Sequence, residues 1–341
     1  MKPSLPESFV VHEDGLHRVH IDDGKHESLR IQVVEFTGDP PLWAERFTAP
    51  DGPRKPPVIL VHGFAQNRFS WHTATRSMAG WLAQQGWDVF NLELRGHGRS
   101  RRRSHTLATS FSDYPSDLLN FANALHEPSF WIGHSLGASV AYMAGSNTPS
   151  ACRGVVGLGG LYRFGQAGWL LPTLTRWTQR WPAPINVGDI QVHTGVTGRF
   201  LARLFPIMDM AGFTAPITGW WPGSIEPELA KERMRRGFDY IPVRVWQEMA
   251  AWSTADRVPW DVGWRATKTP CLIVLGDRDT MLFPAEGRPA YERSGSDDKT
   301  LLLLDDQHGL THWGHLDIVL GKRAREHVWT AVSGWMSDRI G

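Results

Sequence analysis

Phe130-Trp131-Ile132-Gly133-His134-Ser135-Leu136-Gly137 is the stretch whose reading decides the fold of this chain. Its apolar start reads as a short buried strand, and the apolar spacing from Leu136 to Gly145 reads as a helix. The turn between them is a GxSxG pentapeptide, the setting in which a serine is held out as a nucleophile. The flanking glycines have a physical role, because a tight strand-to-helix turn strains the serine backbone and brings neighbouring backbone too close for a side chain. A GxSxG arises by chance roughly 0.2 times in a chain of this composition, so its surroundings must carry the argument.

Those surroundings alternate in period. Residues 57–62, 87–94, 129–133, 153–158, 270–276 and 300–305 are apolar runs of strand length. Residues 71–85, 115–125 and 322–338 have apolar positions three and four apart, which predicts helices. Strands alternating with helices imply βαβ units, hence an α/β fold with a mostly parallel central sheet and helices on both faces. A site is then expected at the carboxyl ends of the strands. Residues 17–36, alternating around Asp22-Asp23-Gly24, predict an antiparallel hairpin at the sheet edge.

On these residues the chain resembles the α/β-hydrolase fold superfamily, over most of its length. His62-Gly63-Phe64, after the first central strand, is similar to the family's HGX oxyanion loop, and residues 94–100 (LRGHGRS) to its RGxGxS turn. Ser135 falls at the nucleophile elbow. Gly276-Asp277-Arg278-Asp279 resembles the acid-bearing GxxD turn, and Gly314-His315 follows the last strand where the family places its histidine. Phe111-Ser112-Asp113 with Asp117-Leu118, and His315-Leu316-Asp317, are similar to the acid-lipase-like esterases. The resemblance implies a serine esterase or lipase with an inserted cap, needing no cofactor and no metal.

For each proposed role the residues leave an alternative. Ser135 as a plain helix-start residue is set against the matching turns on both sides of it. His308 and His312 also lie beyond the last strand, but His315 has the preceding glycine and the matching position. Asp279 is the expected acid because the turn presents its last residue from the strand end, with Asp277 the alternative. The cluster Asp305, Asp306, His308, His312, His315 and Asp317 matches no metal signature such as HExxH.

The chemistry implied is acyl transfer to water. A serine hydroxyl is a poor nucleophile at neutral pH, so His315 would take its proton and later deliver it to the leaving group. Asp279 would hold the imidazole in the required tautomer without becoming protonated. The backbone N–H groups of Leu136 and Phe64 are the expected oxyanion donors. Related dehalogenases and epoxide hydrolases carry an aspartate at the elbow, where this chain has serine.

Between residues 160 and 270 lie about a hundred residues, far more than a crossover needs. Nine of the chain's 17 tryptophans fall there. The expected division is a hydrolase core of 1–160 and 265–341 interrupted by a cap of 161–264. Rings lining a roofed cleft would take apolar acyl or aromatic groups, which points to a hydrophobic carboxylic ester. Trp169, Trp221 and Trp252 are the expected wall residues, with His62, Phe64 and His134 beneath them; the competing reading makes the tryptophans the small core of a cap with little regular structure. Acyltransferase, lactonase, amidase or carbon-carbon bond hydrolase activity would run on the same triad, and a non-catalytic receptor is the remaining alternative.

The 341 residues, 41% hydrophobic, can bury one substantial core plus a cap, and a net charge of +1 argues against a nucleic-acid partner. The basic run 99–103 reads as a solvated loop, with binding of anionic substrates or transient contact with lipid headgroups the alternative. Residues 1–15 hold no apolar stretch of signal length and no segment reaches membrane-spanning length, so a cytoplasmic protein is expected. Cys152 and Cys271 read as inert thiols in or beside buried strands.

Overall fold

The computed structural model describes residues 5–22, 24–165, 173, 176, 190–212, 219–309 and 311–340. The apolar runs become β4 (Pro57–Val61), β5 (Asp88–Glu93), β6 (Ser129–His134), β7 (Cys152–Leu158), β10 (Cys271–Gly276) and β11 (Lys299–Leu304), each within two residues of its expected bounds. They pair in parallel. Three antiparallel strands, β1 (Phe9–Asp22), β2 (Lys25–Phe36) and β3 (Leu42–Thr48), extend the sheet to nine in the order β1-β2-β3-β5-β4-β6-β7-β10-β11. The predicted hairpin is β1 and β2, at the edge as expected.

Because side chains alternate across a strand, the central strands feed two cores. Ile59, Val61 and Trp131 pack on one face with Leu118, Phe121 and Val140. Val58, Leu60, Phe130 and Ile132 pack on the other with Trp81, Leu82, Trp329 and Val332. Helix Asp113–Asn123 and helix Leu136–Gly145 supply the first face. Helix Met78–Gln84 and the C-terminal helical segment supply the second.

Two helices differ from expectation. The one expected at 71–85 begins only at Met78, because the Ser77 hydroxyl accepts from Gly80 N (2.8 Å) and caps it there. The last begins as a π-helical turn, Arg325–Trp329, before Thr330–Ser337. The basic run, expected as a loop, is part of helix Gly98–Ser104. Its four cations are divided: Arg102 and Arg103 are exposed as expected, whereas Arg99 pairs with Glu45 at 2.6 Å and Arg101 lies 3.5 Å from the centre of the Tyr240 ring.

The region 161–264 has more regular structure than the small-core alternative supposed. Its described residues include β8 (Gln191–His193), paired antiparallel with β9 (Tyr240–Pro242), and helices Gly195–Ala211, Pro227–Arg236 and Val243–Trp252. Among the described residues no helix is long and apolar enough to cross a membrane.

Candidate active site

From β4 the chain moves to β5 on one side and later returns to β6 on the other, so a crevice opens between the connections leaving β4 and β6. The turn after β6 closes only because two residues lack side chains. A Cβ on Gly133 would stand 2.2 Å from the Gly137 carbonyl, and one on Gly137 would stand 2.3 Å from the Val61 oxygen. Ser135 between them is held at φ +58°, ψ −123°, a conformation that costs a non-glycine residue about 1–3 kcal/mol. Leu136 opens the following helix, so its N–H is one of those with no acceptor inside the helix.

Ser135 and His315 line one cavity of about 140 Å³. Gln66 is its other polar side chain; Phe64 and Leu136 wall it from the sheet side, Met281 and Leu282 from the loop after β10, and Leu161, Phe164, Trp246 and Met249 from the region 161–264. The Trp246 ring stacks 6.1 Å from Phe64 and meets Phe164 edge-on at 5.7 Å.

His315 is buried, and its Nδ1–H donates to Asp279 Oδ2 at 2.7 Å. Asp279 is buried as well, and its Oδ1 accepts from Met281 N (3.1 Å) and Leu282 N (2.8 Å), so three donors converge on one carboxylate. Gly159, at φ +52°, has no Cβ to obstruct the ring, which would lie 3.1 Å away. Asp277 makes a separate pair: its Oδ2 accepts from His312 Nδ1 (2.6 Å) and its Oδ1 from Trp313 N (2.9 Å). That pair lies away from Ser135, with His312 lining a different cavity beside Pro222, Thr311 and Lys322.

Four residues expected at the substrate lie elsewhere. His62 is buried, with Nδ1–H donating to Gly63 O (2.9 Å) and Nε2 accepting from Leu94 N (3.3 Å), so it braces the loop instead of facing the cavity. His134 likewise donates from Nε2 to the His315 carbonyl (3.0 Å). Burial holds both imidazoles well below the ordinary histidine range, which suits fixed neutral tautomers. The Trp221 ring packs on His312 at 4.6 Å, and Trp252 packs edge-on to Phe111 and Trp260 at 4.9 and 5.2 Å, so neither walls the cavity. Trp169 lies outside the described residues.

Two of the three other motif aspartates are buried clamps. Asp117 accepts from Arg95 N (3.0 Å) and Nε (2.8 Å), holding the turn that precedes helix Gly98–Ser104, while burial pushes its carboxyl up to about 6. Asp317 accepts from Trp221 N (2.7 Å), Gly314 N and the Ser224 hydroxyl, and burial pushes it up to about 7.

Sequence reasoning missed Asp239. Its Oδ2 accepts from Asn67 Nδ2 (3.0 Å) and Gly98 N (2.9 Å), and its N–H donates to Ala65 O (2.7 Å). Gln66 also forms an antiparallel bridge with Phe238. The loop after β4 is therefore held by a segment about 170 residues away in sequence, and no local motif could have revealed it. Among the described residues no group of three or more His, Cys, Asp or Glu side chains is placed to hold a metal ion.

Residues 56–315 match a family model described as alpha/beta hydrolase fold. The chain is 31% identical over 111 residues to epoxide hydrolase B of Mycobacterium tuberculosis, covering 32% of this chain and 30% of that one. It is 30% identical over 119 residues to the pimeloyl-[acyl-carrier protein] methyl ester esterase of Methylococcus capsulatus, covering 34% and 42%. These matches span less than half the length of either relative. The monoacylglycerol lipase of Paleococcus ferrophilus superposes with a TM-score of 0.56 at 18% identity, over 87% of this chain and 99% of the lipase, a likeness of fold.

Proposed function

The chain belongs to the α/β-hydrolase fold family, and from that premise we propose that it hydrolyses carboxylic esters with Ser135 as nucleophile. What carries the reading is that Ser135 and His315 share one largely apolar cavity while Asp279 holds the far side of the imidazole at 2.7 Å. His315, donating from Nδ1, has Nε2 free to accept the Ser135 proton as Oγ attacks the acyl carbon. The oxyanion then forms beside the N–H groups of Leu136 and Phe64. His315 returns the proton to the leaving alkoxide, and water repeats the sequence on the acyl-enzyme.

One similar protein is named an epoxide hydrolase. Opening an epoxide through an alkyl-enzyme calls for a carboxylate nucleophile, whereas Ser135 supplies a hydroxyl suited to acyl transfer. We read residues 161–264 as a cap on the core of 1–160 and 265–341, since Phe164, Trp246 and Met249 contribute apolar wall. At about 140 Å³ the cavity is close to the ~150 Å³ that holds a benzene in an engineered protein core, which favours a short acyl chain or a single aromatic ring.

The test is kcat/KM across p-nitrophenyl esters of increasing acyl length, with lactones and acceptor alcohols alongside to separate lactonase and acyltransferase activity. Ser135→Ala should lower turnover by about 10⁶ and abolish labelling by a fluorophosphonate probe. Retention of more than about a hundredth of activity would overturn the mechanism.

A further inference from the structure

Helix Gly195–Ala211 buries Gly195, Gly198, Ala202 and Phe205 on one side. On the other, Val196, Phe200, Ile207 and Met210 are 62%, 57%, 64% and 74% exposed. At about 100° per residue these four fall, with the exposed Arg199 and Arg203, on one arc about 100° wide. Ile190 and Val192, just upstream, are also exposed, so six of the eleven large exposed hydrophobics among the described residues lie within 190–210. Single exposed apolar side chains are ordinary, but a contiguous stripe marks a surface that meets something.

We propose that this face docks on an anionic lipid bilayer, with the helix lying in the plane of the interface. An apolar stripe with arginines set along it, on one face of a helix, is the chemistry that seats in the boundary between headgroups and acyl chains, the long arginine side chains reaching up to the headgroups. The guanidinium groups of Arg199 and Arg203 reach lipid phosphates while Val196, Phe200, Ile207 and Met210 enter the apolar layer. No acid on the helix competes: the Asp209 carboxylate is turned to Trp220 Nε1 (2.8 Å) and Gly223 N (3.1 Å). A second copy of the chain is a poorer partner, because a two-fold contact would bring this face's arginines together with no carboxylate between them. The proposal is independent of ester hydrolysis.

The test is flotation of the full chain with vesicles of phosphatidylcholine alone and of equal parts phosphatidylcholine and phosphatidylglycerol. The chain should float with the mixed vesicles and at least tenfold more weakly with phosphatidylcholine. Arg199→Gln with Arg203→Gln should weaken binding to mixed vesicles about thirtyfold at low salt, at about 1 kcal/mol per arginine. Phe200→Ser with Ile207→Ser should weaken it about twentyfold, with thermal midpoints unchanged because both side chains are exposed. Failure of the wild-type chain to float, or variants that float as well as it does, would overturn the proposal. So would a concentration-dependent dimer in sedimentation that Phe200→Ser with Ile207→Ser abolishes.

Discussion

Asp279→Asn tests the orientation of the imidazole, because the structure dictates which way the new amide must turn. Its oxygen can stay where Oδ1 accepts from Met281 N and Leu282 N, or move to where Oδ2 accepts from His315 Nδ1. The second choice leaves two N–H donors facing the amide NH₂, at about 1–3 kcal/mol for the buried one on Leu282 and less for the half-buried one on Met281. The first loses neither, so the NH₂ faces Nδ1. Nδ1 must then accept, and the ring proton moves to Nε2, the atom that should receive the Ser135 proton. The wrong tautomer lowers turnover about 10⁴-fold in a serine protease of comparable triad, equivalent to about 5.5 kcal/mol of barrier. Steady-state hydrolysis of a p-nitrophenyl ester should therefore show kcat reduced by about that factor with KM changed little. Asp277→Asn, which disturbs the contacts with His312 and Trp313 N but leaves the Asp279–His315 pair in place, should stay within about threefold of wild type. If Asp279→Asn keeps more than a tenth of the activity, or Asp277→Asn costs more, the assignment of the acid is wrong.

Three further outcomes are expected. Trp246→Ala removes a cavity wall and should lower kcat/KM for hexanoate about tenfold more than for acetate, since each buried methylene contributes about 0.8 kcal/mol; a parallel loss for both esters would make the ring merely structural. Asp239→Ala removes the acceptor of Asn67 Nδ2 and Gly98 N, so kcat should fall at least tenfold with KM nearly constant; unchanged kcat would show that the loop after β4 holds itself. Asp317, at about 7 in the folded chain against about 3.9 unfolded, keeps a proton that the unfolded chain releases, so its contribution to stability is full below pH 4 and is lost as pH rises through 7. Comparing urea midpoints with those of Asp317→Asn, in which Ser224 can donate its hydroxyl elsewhere, the wild-type advantage should shrink by about 4 kcal/mol across that range, and a constant difference would contradict it.

The central strands were legible because a strand buried on both faces must be continuously apolar, and Pro57–Val61 and Cys271–Gly276 are little else. Helix boundaries were less so: apolar spacing at 71–85 counts Trp71, whereas the hydroxyl of Ser77 decides where the helix begins. The basic run misled for a related reason. Its charges predict solvent, but Arg101 finds the face of Tyr240 and Arg99 finds Glu45, partners that no local window contains.

By itself the sequence determined the parallel sheet and the places on it where Ser135 and Asp279 stand, because each lies in a turn just after a strand and its turn chemistry is local, while the preceding glycine singled out His315 among the histidines beyond the last strand. Gly133 belongs to the same class, since the atoms that exclude its Cβ lie within the turn, whereas Gly137 is required by the carbonyls of Val61 and His62 at the end of β4. Only the tertiary structure decided what surrounds those three residues. Trp246 and Trp252 share helix Val243–Trp252 and look alike in sequence, yet six residues turn them about 240° apart, so one meets Phe64 across the cavity and the other packs on Phe111 and Trp260. Asp239 reaches Asn67 and Gly98 only because the chain folds its distant segment back onto the loop after β4. Local patterns record which residues must be buried or must turn. Which buried side chain faces which depends on packing between segments far apart in the chain.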